Sequence, residues 1–251
     1  MSQALLLGQR ALREAVRTPE ALFPTVFIPM FFLVVNVGQA GEIFPAATTS
    51  FLEGQSYAAF QLPSSLLLAA SFGSAALFLV EDIEGGYFDK LRAAPVSRTA
   101  LVLGRLVAEA VKGVVVAAAL VLLSLPFGVA PASGVGGVVL LVALTAMWAV
   151  VFTAFLQLVA LGSRSAAATQ SGSLVFFPLL FLTPNFVPRD LLTPAMELAA
   201  TLNPVTYVME ALRALIIDGF AWGTVLPGFA VVAALAVVAV ALNVRLIERY
   251  D

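Results

Sequence analysis

A chain of 251 residues that is 61% apolar and 11% charged is not an ordinary soluble domain, in which charged residues make up about a quarter. Its 13 basic and 15 acidic residues nearly cancel to a net charge of −2, which says little by itself because in a membrane protein charge matters by location; no nucleic-acid partner is expected. The absence of cysteine and histidine excludes a disulfide framework, thiolate chemistry, and the commonest general base and metal ligand.

Asp, Glu, Lys and Arg are missing from residues 21–41, 54–80, 113–163, 165–188 and 219–244. An α-helix rises about 1.5 Å per residue, so roughly 20 apolar residues cross a hydrocarbon core about 30 Å thick. Four of these stretches fit one crossing each. The third is long enough for two and is interrupted by LPFGVAPASGVGG, a Pro/Gly/Ser cluster that reads as a turn. The expected fold is therefore all-α and polytopic, with six transmembrane helices in a single membrane domain over residues 1–251.

Residues 2–18 come first. Arg10, Arg13, Glu14 and Arg17 fall on one helical face at i, i+3, i+4 and i+7, with Leu5, Leu12 and Val16 on others. This pattern predicts an amphipathic helix on the membrane surface, with a solvated juxtamembrane helix as the alternative. Pro19 then turns the chain into the first span, 20–40. The basic start and the small residues Gly38 and Ala40 resemble a cleaved signal peptide, but the long helical segment ahead of the apolar run favours retention.

The second span is 57–80. The loop 81–104 that follows is the most charged segment of the chain. Between Gly86 and Pro95 it can form a short helix on which Tyr87, Phe88 and Leu91 make an exposed apolar patch in a charged rim, the make-up of a docking surface. Spans three, four and five are 105–128, 136–162 and 166–187. Glu109, one turn into the third span beside Arg105 and Lys112, reads as a member of an interfacial ion pair. Segment 188–221 holds two short apolar helical patterns, about 194–202 and 205–217, split by Asn203-Pro204. Neither is long enough to span, so both read as interfacial or re-entrant helices, or more plainly as a surface cap. Glu210 and Arg213, spaced i, i+3, can pair. The sixth span is 222–246.

Basic residues in short loops stay on the cytoplasmic side. With the N-terminus inside, the inner segments hold Arg10, Arg13, Arg17, Lys90, Arg92, Arg98, Arg105, Lys112, Arg164, Arg245 and Arg249, and the outer ones only Arg189 and Arg213. The expected topology is N-in and C-in.

No enzyme site is apparent. Metalloprotease and serine-protease arrangements need a histidine, and neither lysine follows a phosphate-cradling glycine loop. No carboxylate lies centrally in a span, where an ion-coupled carrier would place one. If the chain moves a substrate, its energy comes from a partner docked on the cytoplasmic side. Neutral polar residues do enter the spans. Gln61, Ser64, Ser71 and Ser74 mark one side of the second, and Thr169, Gln170 and Ser173 begin the fifth. They suit helix packing or a substrate path.

These features together resemble the ABC-2 type permeases, the membrane subunits of a class of ATP-binding-cassette exporters. In DIEGGYFDKLRAAPVSR, Asp82 and Glu84 occupy the family's acidic positions, Gly86 its glycine, Leu91 its leucine, and Pro95 to Arg98 its ending; Gly85 and Tyr87 depart from it. The external segment matches at Phe186-Val187-Pro188, Pro194, and Asn203-Pro204-Val205-Thr206-Tyr207 followed by Glu210, Leu212 and Arg213. The resemblance implies a coupling helix that seats in an ATPase subunit through Glu84, Gly86, Tyr87, Phe88, Leu91, Arg92, Pro95 and Arg98, with Arg10 and Arg13 of the N-terminal helix touching the same subunit. It implies external re-entrant helices containing Asn203, Pro204, Tyr207, Glu210 and Arg213. It further implies a second permease chain, expected as a homodimer, and ATP and Mg bound by the separate ATPase, with no cofactor on this chain. The setting is a bacterial inner membrane and the cargo a hydrophobic or amphipathic drug, lipid or glycoconjugate. A six-span membrane enzyme, an assembly factor or an ion-coupled secondary transporter is the alternative.

Overall fold

Long apolar runs become long helices, though not every run stays continuous. The chain is described here from a computed structural model over residues 7–13, 19–72, 74–93 and 97–248. The helices are α1 (7–13), α2 (Pro19–Ala40), α3 (Tyr57–Ala70), α4 (Ser74–Glu84), α5 (Tyr87–Ala93), α6 (Arg98–Ser124), α7 (Gly134–Ser163), α8 (Ala166–Ser173), α9 (Phe176–Phe181), α10 (Pro194–Leu202), α11 (Pro204–Ile217) and α12 (Trp222–Glu248). No strand occurs among the described residues. Among the described residues, five stretches are long and apolar enough to cross a membrane: Phe23–Ala40, Tyr57–Glu84, Thr99–Phe127, Gly134–Ser163 and Trp222–Glu248; Ala166–Phe181 is apolar but shorter.

Two expected spans are not single helices. The second is divided at Ser71–Phe72 into α3 and α4. The fifth ends at Phe181 rather than 187 and is divided at Leu174–Val175. Pro178 explains the latter: it has no N–H to give to Leu174 four residues back, and its ring crowds that carbonyl. The Leu174 oxygen accepts from Phe177 N instead, at 3.1 Å.

The core forms where α6 packs on α7, α7 and α11 on α12, and α2 on α3. Phe60, Leu66, Leu120, Leu144, Trp148, Phe176 and Leu212 are buried in its main cluster. A second cluster under α5 joins Leu79, Phe88, Leu101, Leu106, Leu161 and Ile247. Exposed side chains on the outer helices are apolar, including the stacked Phe23, Phe27 and Phe31 of α2 and Val237 and Val238 of α12, as a lipid-facing surface requires.

α11 is buried on almost every side, although too short to span. Asn203 starts it by accepting from Val205 N at 3.0 Å, and Pro204 fits the first turn, where no N–H is needed. α12 approaches α11 closely at Gly228. A Cβ there would lie 2.4 Å from the Ala211 Cβ and 2.8 Å from the Tyr207 oxygen, so only glycine fits.

Candidate functional site

The hairpin α4–α5, the described part of the N-terminal helix, and the start of α6 meet at one end of the bundle, beside Arg164 and the end of α12. Gly86 makes the turn with a φ of 69°, in the left-handed region that favours glycine. α1 lies flat on α6: a Cβ on Gly8 would come 3.1 Å from the Gly104 oxygen. Arg10 reaches from α1 to the Asp82 carboxylate at 3.6 Å and stands 4.6 Å over the Tyr87 ring. Asp82 is also paired with Arg105 of α6. Thus one carboxylate joins the N-terminal helix, the hairpin and the third span. Arg13 is exposed. The expected helix beyond 7–13 falls outside the described residues, as do Pro95 and the side chains of Ser74, Arg92 and Arg98.

The apolar patch expected on the hairpin is only partly a surface. Tyr87 is 41% exposed, but Phe88 is 2% exposed. Adjacent helical residues point about 100° apart, so when Tyr87 faces out Phe88 turns inward, and it fills the second cluster. Leu91 is half-buried at the edge of a crevice shared with Leu7, Arg10 and Ala11. Glu84, expected at the rim, is exposed and accepts from the Ala166 backbone N–H at 2.8 Å, capping α8 together with Ser165.

Charge continues inward along one stripe of α6. Arg105, Glu109 and Lys112, at i, i+4 and i+7, are 7%, 2% and 7% exposed. A charge at the centre of a spanning helix costs about 2.5–3.5 kcal/mol to insert alone, and these three, buried nearer the helix end, are paired. Glu109 pairs with Lys112 at 2.5 Å, as its expected interfacial role suggests. Lys112 Nζ also donates to the Phe72 oxygen at 3.0 Å, and Arg105 Nη1 to the Ala75 oxygen at 3.5 Å.

Next to that break lies a cavity of about 300 Å³. Ser71, Thr169, Gln170 and Ser173 line it, among Phe72, Leu77, Leu156 and Phe176. Ser71 accepts from Trp148 Nε1 at 2.9 Å, and Thr169 donates to the Ser165 oxygen at 2.9 Å. Gln61 and Ser64, named with them from the sequence, sit elsewhere. Gln61 donates to the Tyr57 hydroxyl and to the Asn185 oxygen, both at 2.9 Å; Ser64 bonds the Asn185 side chain. They fasten the segment after α9 to α3 and leave the cavity wall to the others.

At the other end of the bundle, Asn203 donates to the Leu179 oxygen at 2.6 Å, and Tyr207 to the Thr201 oxygen at 2.9 Å. Glu210 does not pair with Arg213. It takes a bidentate pair from Arg189, at 3.0 and 2.8 Å, because Arg213 points into the core instead. There Arg213 stands 3.6 Å over the Phe60 ring and donates to the Phe60 oxygen at 3.3 Å. Asp218 keeps an outer face in solvent. Partial burial of its inner side, with Glu53 nearby, pushes its carboxyl above the usual range, and Arg213 opposes the shift.

Two further buried amides lie in the spans, Asn243, which the sequence reading passed over, and Gln157, which it counted only among the neutral polar residues of the spans. Asn243 donates to the Ala154 oxygen at 2.8 Å, and Gln157 is fully buried with neither amide atom bonded to protein. A lone amide in a charge-free apolar span is the signal that points to each.

These helices define a multi-pass membrane protein. The chain belongs to the ABC-2 type transporter family, whose match covers residues 2–217. It is 27% identical over 210 residues to the daunorubicin resistance ABC transporter permease protein DrrB1 of Streptomyces coeruleorubidus, covering 82% of this chain and 72% of that one. It is 28% identical over 214 residues to a protein of Porphyra purpurea named as a transport permease, ycf38, covering 82% and 71%. The chain is thus a membrane permease subunit of an ABC transporter.

Proposed function

We propose that this chain forms the translocation pathway of an ATP-driven exporter and receives its power stroke through the α4–α5 hairpin. The observation that carries this reading is the arrangement around Asp82, which ties an outward-facing Tyr87 and the N-terminal helix to a buried stripe of the third span. Glu84, Tyr87, Leu91, Arg10 and Arg13, with Arg92, Pro95 and Arg98, would face a separate ATPase chain that holds ATP and Mg. Phe88 supports the hairpin from within. Residues 1–251 act as one permease domain in a bacterial inner membrane, N-in and C-in, with 2–18 and 81–104 cytoplasmic and 188–221 external, α10 and α11 re-entering the membrane edge.

The cavity beside α8 and α9 serves as part of the path. Gln170 is exposed and Ser173 half-buried at the broken fifth span. Irregular backbone at membrane depth is tolerated where protein or a water-lined path covers it, so this face favours a second copy of the chain. The wall is apolar with hydroxyls and one amide, which suits a hydrophobic or amphipathic cargo such as a drug, lipid or glycoconjugate. A relative named for daunorubicin resistance supports a drug.

Because the chain has no cysteine, single introduced cysteines report topology directly. Cysteines at Glu42, Ala132 and Asp190, all exposed, should react with an impermeant thiol reagent added outside intact cells, and one at Asp89 should not. Labelling of position 89 from outside would overturn the reading.

A further inference from the structure

The second span breaks at Ser71–Phe72, and both edges of the break line the cavity. A break leaves main-chain groups without helical partners, and each needs one from elsewhere. Here Lys112, 7% exposed, crosses from α6 to the Phe72 oxygen while its other side rests on Glu109, 2% exposed. Two turns away on α6, Arg105 bridges the Ala75 oxygen, in the first turn of α4, to Asp82 near its end. Two buried cations of α6 thus hold this region, Lys112 at the break just before α4 and Arg105 on α4 itself, while the C-terminal end of α4 runs into the hairpin and Glu84 touches α8. Leu77, on α4, is a wall residue of the cavity.

We infer that Lys112 is the positioning residue of a hinge in the second span: seated on Glu109, its ammonium holds the Phe72 carbonyl at the break and, with Arg105, keeps α4 docked on α6. The inference rests on the reading that the hairpin is pushed by a partner. A push on the hairpin swings α4 about Phe72, carries Leu77 across the cavity wall, and draws on α8 through Glu84. Ion pairs and carbonyl bonds suit a latch because they can be exchanged for others of equal kind, whereas a packed apolar seam would have to be pulled apart.

The test needs neither ATPase nor cargo. Spin labels go on two cysteines, Glu81→Cys on α4 and Ser163→Cys at the end of α7, both exposed, in the full chain in lipid nanodiscs. The parent chain should give one narrow distance distribution. The paired variant Lys112→Met/Glu109→Gln, which removes both charges without stranding either, should add a second population, and Lys112→Arg should restore the single one. A folded paired variant with the parent distribution overturns the proposal. If that variant does not fold, Glu109→Gln alone should show the second population at a smaller fraction, and its absence there is equally decisive. Failure of the parent chain to export with its partner would instead sink the transport reading and leave this measurement unchanged.

Discussion

The two ends of the bundle are held by different forces. At the hairpin end, α1, α4, α5 and α6 meet through Arg10, Asp82, Arg105 and Tyr87, and Arg10 and Tyr87 remain partly in solvent. At the other end α11 is enclosed by α3, α7 and α12, and main-chain oxygens anchor the chain: Asn203 on Leu179, Ser133 on Leu215, Tyr57 on Phe186. The Arg10 arm of the Asp82 pairing is partly exposed, and a pair of that kind is worth only about 0–1 kcal/mol and re-forms readily, whereas a buried apolar seam yields only with the fold. A transporter subunit needs both: a fixed end that keeps the helices in register, and an adjustable end that accepts a displacement. The difference is testable because substitutions at the two ends should fail in different ways.

The fixed end should show the larger losses of stability. Gly228→Leu drives a side chain into the Ala211 methyl and the Tyr207 backbone, where nothing can move aside, and should cost more than the about 1–3 kcal/mol typical of overpacking. Little folded protein should survive detergent extraction, as size-exclusion chromatography would report. Asn203→Ala is milder. It removes the cap on α11 and the donor to Leu179, and a lost cap alone costs about 1–2 kcal/mol. A thermal melt in detergent should move down by several degrees with export retained below the new transition. An unchanged melt would mean that this end is not fixed as described.

The smallest effect concerns Asp218. Its raised pKa means that the fold prefers the protonated carboxyl, so its contribution to stability is present at low pH and is lost as pH rises through the folded-state value. Asp218→Asn should raise the melting temperature at pH 7 by no more than about 2 °C, and the gap should close as the pH is lowered towards the ordinary carboxylate range. A gap that widens on acidification would reverse the sign of the argument.

How much was legible differs along the chain. Charge gaps marked the apolar crossings because insertion penalises charge at almost any central position, and α2, α6, α7 and α12 follow them closely. The division of the second span was not drawn from the sequence: Ser71, Gly73 and Ser74 interrupt the apolar run but carry no charge, and Lys112, which donates to the Phe72 oxygen, lies 40 residues away. For the same reason the local spacing of Glu210 and Arg213 misled, since the partner that takes Glu210 is Arg189, outside the helix. On the hairpin, composition identified an amphipathic surface. Which of two adjacent aromatics faces out depends on how α5 rests on α6, and that decided Tyr87 over Phe88. Of the seven polar residues proposed for a path, Ser71, Thr169, Gln170 and Ser173 meet at one cavity, while Gln61 and Ser64 are engaged by Asn185, which the second-span pattern could not foresee.

The central claim is that the hairpin's outer face delivers force from a separate ATPase, and paired substitutions on neighbouring residues test it most directly. The tagged chain would be co-expressed with its ATP-binding-cassette partner, and co-purified ATPase, export and thermal stability measured for Tyr87→Asp and Phe88→Ala. The account predicts that Tyr87→Asp keeps the parent melting temperature but loses export and about tenfold or more in ATPase binding, as expected of a central interface anchor. Phe88→Ala, which empties a buried site, should instead lower the melting temperature first. Full ATPase binding and export by Tyr87→Asp would contradict the account.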